Sequence, residues 1–524
     1  MQTVEIVILE TSDIHGNVLP INYGTIKKAE KGLAKVAALI KKERKKNRHV
    51  VLIDNGDVIQ GTPLTYHYAR LQSHEPNPMI KILNQLGYDA GVIGNHEFNY
   101  GLNFLNKAVN EAAYPWLSAN IVDEETGEPY FGKPYIIKTF SEGLRMGILG
   151  LTTPYIPNWE KKEYIRGLRF VDAVETAKKW VRFLREQERV DLVVVAYHGG
   201  FERDLDTGEP TETLTGENQG YQICMEVPGI DVLLTGHQHR QIAGKSINGV
   251  TILQPGCQGL TLGKVAVRME KTDNGYCVKD KHSELLSVNG VEPDHEVIRL
   301  IEPYERAVQK WLDQPIGHIK GDMTVNDPME IRLKDNPLIE FINRVQMEAA
   351  GVEVSNTALF DNQSPGFPST VTMRSVVANY IYPNTLVVLR ITGKVIKEAL
   401  EKSASYFERL ADGSIRVSDE FTTPKPQHYN YDMWEGIEYI IDLRKPVGKR
   451  VIRLNYKGQP LRSDQKVDVV MNHYRAGGGG DYLMYKNQPV VKEIPIDVSE
   501  LIANYFLEHK VIEANVDHNW QVIY

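Results

Sequence analysis

Short apolar runs recur through the first half of the chain, and five of them stop at a cluster of Asp, His or Asn. Glu5-Ile6-Val7-Ile8-Leu9 leads into Asp13-Ile14-His15-Gly16-Asn17, and His49-Val50-Val51-Leu52-Ile53 into Asp54-Asn55-Gly56-Asp57. Asp89-Ala90-Gly91-Val92-Ile93 opens into Gly94-Asn95-His96-Glu97-Phe98-Asn99. Asp191 to Ala196 ends at Tyr197-His198-Gly199-Gly200, and Asp231 to Leu234 at Gly236-His237-Gln238-His239. Runs of this kind read as buried strands entering polar loops. In open α/β sheets the carboxyl ends of strands are where chemistry collects. A single strand ending in Asn-His is an ordinary turn, but five such endings place Asp, His and Asn along one rim. In Asp13-x-His15 and His237-x-His239 an extended chain would put both side chains on one face, where each pair can grip one ion.

Between these strands the period changes. Lys31 to Lys46 reads as an amphipathic helix with Leu33, Val36, Ala37 and Ile40 on its apolar stripe and lysines on a solvated face. Arg145 to Leu151 reads as a strand and Val171 to Glu188 as a helix. Alternation continues to about Val267 and predicts an α/β domain whose sheet carries helices on both faces. Gly199 to Gln222 is a polar loop beside the site, and Asp294 to Leu312 a helix ending at Asp313-Gln314-Pro315. The expected organisation is a catalytic domain over 1–290, a helical linker over 291–322 and a second domain over 323–524. That last domain mixes helices at Asn336–Ala350 and Thr392–Tyr406 with strands at Thr385–Ile391, Ile437–Leu443 and Lys466–Met471, an α+β pattern.

Composition narrows the function classes. The 524 residues are 42% hydrophobic and 24% charged, with a formal net charge of -8. That balance offers no general attraction to a nucleic-acid polymer or an anionic membrane. The three cysteines, Cys224, Cys257 and Cys277, lack C-x-x-C spacing and read as buried small hydrophobes in a reducing compartment. The opening residues enter the first strand without a signal core, and no run is apolar enough to span a bilayer, so a cytoplasmic location is expected unless a leader has been removed.

Asp13, His15, Asp57, Asn95, His198, His237 and His239 are too many ligands for one tetrahedral zinc. Imidazole, carboxylate and carboxamide without thiolate suit two divalent ions such as Mn²⁺, Zn²⁺, Co²⁺ or Fe²⁺, with a carboxylate such as Asp57 able to bridge them. A pair of cations acidifies a shared water and clamps the oxygens of an in-line displacement at phosphorus, which is phosphoester hydrolysis.

Together, Asp13-x-His15, Gly56-Asp57, Gly94-Asn95-His96-Glu97, His198 and Gly236-His237-x-His239 resemble the signature of calcineurin-like metallophosphoesterases. With its C-terminal third, the chain resembles the 5'-nucleotidase superfamily. The resemblance implies an N-terminal four-layer β-sandwich flanked by helices and a C-terminal α+β substrate-binding domain, with closure of the two during catalysis. It implies Asp13, His15, Asp57 and His239 on one metal, and Asp57, Asn95, His198 and His237 on the other. His96 becomes the donor to the phosphoryl group or its leaving oxygen. Where the nucleotidases carry Asp after Asn-His-Glu-Phe, this chain has Asn99, an amide that holds an imidazole without stabilising its charge. The run Asn95 to Leu102 is closer to the 2',3'-cyclic-nucleotide 2'-phosphodiesterase/3'-nucleotidase branch, as are Gly216-Glu217-Asn218, Tyr382-Pro383-Asn384-Thr385-Leu386, Asn430-Tyr431-Asp432 and Asn472-x-Tyr474-Arg475-Ala476.

For that branch the resemblance implies a nucleotide as small-molecule substrate, its base stacked between Tyr431 and Tyr474. The nucleotidase Gly-Gly-Gly-Ile-Arg segment is absent, leaving Arg374 and Arg475 as candidates for a phosphate clamp. The expected activity is hydrolysis of 2',3'-cyclic nucleotides and 3'-nucleotides. The alternatives are a 5'-nucleotidase or nucleotide-sugar hydrolase, and a non-catalytic nucleotide-binding protein.

Overall fold

The structure is a computed structural model. It describes every residue except Met1, Thr213, Asn274, Ile381, Pro383, Pro424, Lys425 and Pro495, so Met1 of the opening run, Thr213 of the Gly199–Gln222 loop and Pro383 of the Tyr382–Leu386 motif lie outside the described residues. The chain divides into two compact units, Met1–Val308 and Gln309–Tyr524. The division falls within the helix His295–Leu312.

The first unit is built on two six-stranded sheets. One runs Gly275–Ser287, Thr261–Thr272, Thr3–Thr11, Val50–Asp54, Ala90–Val92, Trp116–Leu117, and its last four strands are parallel. The other runs Gln241–Ile247, Val250–Pro255, Val232–Thr235, Leu192–His198, Arg145–Thr152, Tyr135–Thr139, with the central four parallel and both edges antiparallel. Pairing of Thr11 with Asp54, and of Thr235 with Tyr197, brings neighbouring strands to an end at one level.

Alternation along the strands sets the layers. Val4, Ile6, Ile8, Val51, Ile53 and Val92 of the first sheet share a core with Ile148, Leu192, Val194, Ala196, Val232 and Leu234 of the second. The other face of the second sheet, with Val193, Val195 and Leu233, packs on Ala173, Val174, Ala177, Val181 and Leu184. These last belong to the helix Ala173–Glu186, which Asp172 caps by accepting from Glu175 N. The helix Leu33–Lys46 buries Leu33, Val36, Ala37 and Ile40 and packs on the strand Thr261–Thr272. The expectation of one sheet with helices on both faces is therefore corrected. Strands apolar on both faces need two apolar covers, and here one cover is a second sheet, giving the four-layer sandwich that the family resemblance implied.

The second unit is α+β. A five-stranded sheet, ordered Asp432–Glu435, Val354–Ala358, Lys466–Asn472, Leu386–Thr392, Val490–Ile494, is joined by a four-stranded sheet that includes Glu438–Asp442 and Trp520–Ile523. The helix Pro337–Ala350, capped by Asn336, contributes Phe341 and Val345 to a core with Tyr431, Trp434, Tyr439 and Phe506.

Cys224 is buried as expected, whereas Cys257 is half-buried and Cys277 exposed on an edge strand, which corrects the reading of all three as core residues. No helix among the described residues is long and apolar enough to cross a membrane.

Candidate metal centre

His198 ends its strand, but the other strands stop short of their chemistry and tight turns carry it. Asp13 (φ 53°), His15 (47°), Asp57 (58°), His237 (65°) and His239 (58°) all have left-handed backbones. For residues other than glycine each such conformation costs of order 1–3 kcal/mol and persists where surrounding bonds enforce it. The chain is thus not extended through Asp13-x-His15 or His237-x-His239, and the expectation of a shared strand face there is corrected. Convergence comes from the turns themselves. Asp13 N donates to Gly56 O (2.9 Å) and His15 N to Asp57 O (2.8 Å), zipping two loops together. His237 N donates to both Asp13 carboxylate oxygens, at 3.1 and 3.0 Å.

Glu97, fully buried, is the hub of this framework. Its carboxylate accepts from Gly94 N (2.7 Å), Asp57 N (2.8 Å) and Val58 N (2.7 Å), and Asp57 Oδ1 in turn accepts from His96 N (2.8 Å). A Cβ on Gly94 would meet Asp57 Oδ1 at 2.3 Å and Glu97 Oε2 at 2.6 Å, so only glycine permits the approach.

All seven expected metal ligands come together. Donor atoms of Asp13, His15 and His239 lie within 4.8 Å of one another, as do those of Asp57, His198 and His237. Asp57 Oδ2 joins the two groups, 3.8 Å from His15 Nε2 and 3.2 Å from His198 Nε2. Asn95 Oδ1 sits 3.1 Å from His198 Nε2 and 2.9 Å from His237 Nδ1. His15 Nε2 and His239 Nε2 face each other at 3.1 Å. His96 groups with His15 and Asp57, its ring edge-on to His15 at 5.1 Å between centroids.

The partners of the imidazoles decide which nitrogen faces inward. His198 Nδ1–H donates to Asn55 O (2.6 Å), leaving Nε2 for the site. His237 Nε2–H donates to Glu217 Oε1 (2.9 Å), leaving Nδ1. Burial pushes His15 down to about 3, with the neighbouring His96 and His239 adding to it against Asp57, so its lone pair is available at neutral pH. Burial opposes ionisation of Asp57, yet His198 and His96 hold it well below the usual carboxylate range. This donor set of imidazole, carboxylate and carboxamide, with lone pairs converging and no thiolate, fits divalent metal ions.

His96 Nδ1 donates to Asn99 Oδ1 (2.7 Å), and Asn99 Nδ2 donates to Glu160. Burial lowers His96, with Asp57 and the Asn99 bond pulling the other way. Burial also pushes Glu160 up to about 8, so it is mainly uncharged at neutral pH. Glu160, and Trp159 packed on the His237 ring at 5.3 Å, carry no sequence motif, and the sequence offered no sign of them. Glu217 was visible only as part of the Gly216-Glu217-Asn218 likeness.

In the second unit the side chains expected at the substrate differ in burial. Tyr431 is 0% exposed, its ring packed on Tyr406 and Phe407 at 5.2 and 5.1 Å. A ring enclosed on all sides has no face for a base, and the stacking expectation for Tyr431 is corrected. Tyr474 is half-buried, and so are Tyr429 and Tyr382, whose rings meet edge-on at 6.2 Å. Arg475 is buried, its Nε 2.8 Å from Asp432 Oδ2 and its NH2 donating to Tyr429 O (2.8 Å). Arg374 bonds Asp313 Oδ1 (2.8 Å) and Gln309 Oε1 (2.7 Å). Both arginines are committed to the protein itself, which removes them as phosphate clamps.

The sandwich and its rim of imidazoles and carboxylates define a calcineurin-like phosphoesterase: that family matches residues 6–241, and the 5'-nucleotidase C-terminal domain matches residues 315–487. The chain is 30% identical to the 2',3'-cyclic-nucleotide 2'-phosphodiesterase/3'-nucleotidase of Salmonella typhimurium, over 91% of this chain and 82% of that protein. It is 28% identical to the trifunctional nucleotide phosphoesterase protein of Bacillus subtilis, spanning only 39% of that longer relative. A crystal structure from Staphylococcus aureus, in complex with alpha-ketoglutarate, matches with a TM-score of 0.89 and 35% identity, covering 99% of this chain and 100% of that one. The chain belongs to the 5'-nucleotidase family of calcineurin-like phosphoesterases and is a metal-dependent phosphoester hydrolase.

Proposed function

We propose that this enzyme holds two divalent cations and hydrolyses 2',3'-cyclic nucleotides to 3'-nucleotides, then 3'-nucleotides to nucleoside and phosphate. The observation that carries the dinuclear reading is the position of Asp57 Oδ2, within 3.8 Å of His15 Nε2 and 3.2 Å of His198 Nε2, between two ligand groups. Asp13, His15, Asp57 and His239 would hold one cation, and Asp57, Asn95, His198 and His237 the other. When bound, such a pair supplies Lewis-acid polarisation of the phosphoryl oxygens and acidifies a water toward neutrality. The chain's own groups supply the rest. Glu97 holds the Asp57 and Asn95 loops in register, and Glu217 and the Asn55 carbonyl orient His237 and His198. His96, steadied at Nδ1 by Asn99, delivers a proton from Nε2 to the departing sugar oxygen.

The preference for 2',3'-cyclic and 3'-nucleotides is supported by the relatives that bear that name and by Asn99 in place of aspartate. Steady-state turnover of 2',3'-cyclic AMP, 3'-AMP and 5'-AMP, with Mn²⁺ restored to chelated protein, tests it. The first two substrates are expected to be preferred, and a clear preference for 5'-AMP replaces the reading with a 5'-nucleotidase.

A further inference from the structure

A second concentration of oxygen ligands lies in the C-terminal unit. Asp335 sits in the turn before the helix Pro337–Ala350, and Glu340 in that helix's first turn. Glu435 ends the strand Asp432–Glu435, and Asp517 and Asn519 precede the strand Trp520–Ile523. One carboxylate oxygen from each of Asp335, Glu340 and Asp517 lies within 4.8 Å of the other two. Asn519 Nδ2 donates to Glu435 Oε2 (2.8 Å), fastening that carboxylate to the same loop.

Acidic residues gather on many surfaces without a ligand, but two of these are not on the surface. Asp335 is 7% exposed and Glu435 2% exposed. Asp335 Oδ2 accepts from His518 N (2.9 Å) while Asp335 Oδ1 is buried with no partner, and Glu435 Oε1 is likewise buried and unpartnered. Asn519 Oδ1 is a third buried oxygen in the same condition. Leaving a buried acceptor unsatisfied costs roughly 1–3 kcal/mol, more for a charged group, so Asp335 Oδ1 of the group and the neighbouring Glu435 Oε1 and Asn519 Oδ1 require an explanation. Arg344 bonds Glu340 Oε1 (2.6 Å) and Asp517 N donates to Glu340 Oε2 (2.9 Å), while no ion pair among the described residues reaches Asp335, Glu435 or Asp517.

We propose that Asp335, Glu340, Glu435, Asp517 and Asn519 form an oxygen-only site for a divalent cation, Ca²⁺ by the number and hardness of its donors. Five protein oxygens without nitrogen or sulfur suit Ca²⁺, which takes six to eight oxygen ligands in flexible geometry, the remainder from water on the exposed Asp517 side. Bound there, the ion satisfies the three orphaned oxygens and clasps the end of the chain to the strand Asp432–Glu435 and the helix Pro337–Ala350. Its role is structural.

The test uses the full chain with its imidazole centre first loaded with Mn²⁺, and Ca²⁺ as the probe. Equilibrium dialysis is expected to find one Ca²⁺ per chain, with the melting temperature of the C-terminal unit rising by roughly 5–10 °C at a hundredfold excess over the dissociation constant. Asp517→Asn, at an exposed position and with its acceptor for Asn519 N retained, is expected to weaken Ca²⁺ at least about tenfold with turnover unchanged. Terbium offers a separate reading, because Trp520 adjoins Asn519 and Trp434 adjoins Glu435: Tb³⁺ emission excited through tryptophan should appear in Asp57→Asn and be displaced by Ca²⁺. Absence of bound Ca²⁺ in the unmodified chain, or undiminished binding in both Asp517→Asn and Glu435→Gln, overturns the assignment. Neither result bears on nucleotide hydrolysis.

Discussion

Asn99 donates its side-chain amide to Glu160, and that bond decides which end of the amide faces His96. With Nδ2 turned toward the carboxyl group, Oδ1 must accept from His96 Nδ1, leaving Nε2 for the proposed proton transfer. A carboxyl group one residue further out, mainly uncharged at neutral pH, therefore stands behind the histidine where the nucleotidases place a carboxylate directly.

Proton delivery by His96 needs the imidazolium, so the rate is lost as pH rises through its pKa. Glu160 is uncharged over the range in which the lowered His96 titrates and supports it only through Asn99, so Glu160→Gln should leave the basic limb of kcat/KM in place, with kcat down less than about tenfold. Asn99→Asp should move that limb to higher pH. A limb that stays put in Asn99→Asp would exclude His96 from proton transfer.

Asn95→Ala and His198→Ala each strip the ligand group that shares Asn95 Oδ1. Bound metal is expected to drop from two ions to one per chain, with kcat falling by at least about a thousandfold, equivalent to about 4 kcal/mol. Elemental analysis beside turnover checks both, and full activity in the pair would refute a dinuclear centre.

Gly94→Ala should weaken metal binding by about 10–100-fold without replacing a proposed ligand, because its methyl would lie 2.3 Å from Asp57 Oδ1 and force that carboxylate aside. Dialysis against graded chelator measures the loss. Affinity equal to wild type would mean that the loop relaxes freely.

Metal-free protein should lose stability in acid partly through His15. Its folded pKa, pushed down to about 3 chiefly by burial, lies below the ordinary 6.5. Between those values the unfolded chain binds a proton that the folded chain refuses, so stability falls as pH drops, by about 1.4 kcal/mol per unit for this one group. His198 acts in the opposite sense. Burial opposes its charge, but Asp57 outweighs burial and lifts it to about 10, so its contribution is full below 6.5 and is lost as pH rises toward 10. Urea denaturation of chelated wild type and His15→Asn between pH 7.5 and 5 should show a shallower acid loss in the variant.

The tyrosines separate by burial. Tyr474→Ala and Tyr429→Ala should raise KM by about tenfold, in the range of one lost base-stacking contact, and leave stability nearly unchanged. Tyr431→Ala, which empties a core position, should instead cost about 3–5 kcal/mol of stability. A Tyr431→Ala protein that melts normally but fails to bind substrate would return that ring to the binding site.

The sequence by itself determined the elements and the chemistry of the centre. Apolar runs predicted the five site strands and the helix faces closely, because burial of Leu33, Val36 or Val194 is a local demand that periodicity records. The order Asp13, His15, Asp57, Asn95, His198, His237, His239 named the donors that the structure brings together, since few roles use those types at successive strand ends. Only the tertiary structure decided how they meet. Left-handed turns, rather than extended strands, aim Asp13 and His237, and Glu97 binds two loops that lie far apart in the chain. Glu160, Glu217 and the enclosure of Tyr431 depend on neighbours distant in sequence, and no local pattern encodes which neighbour a side chain will find.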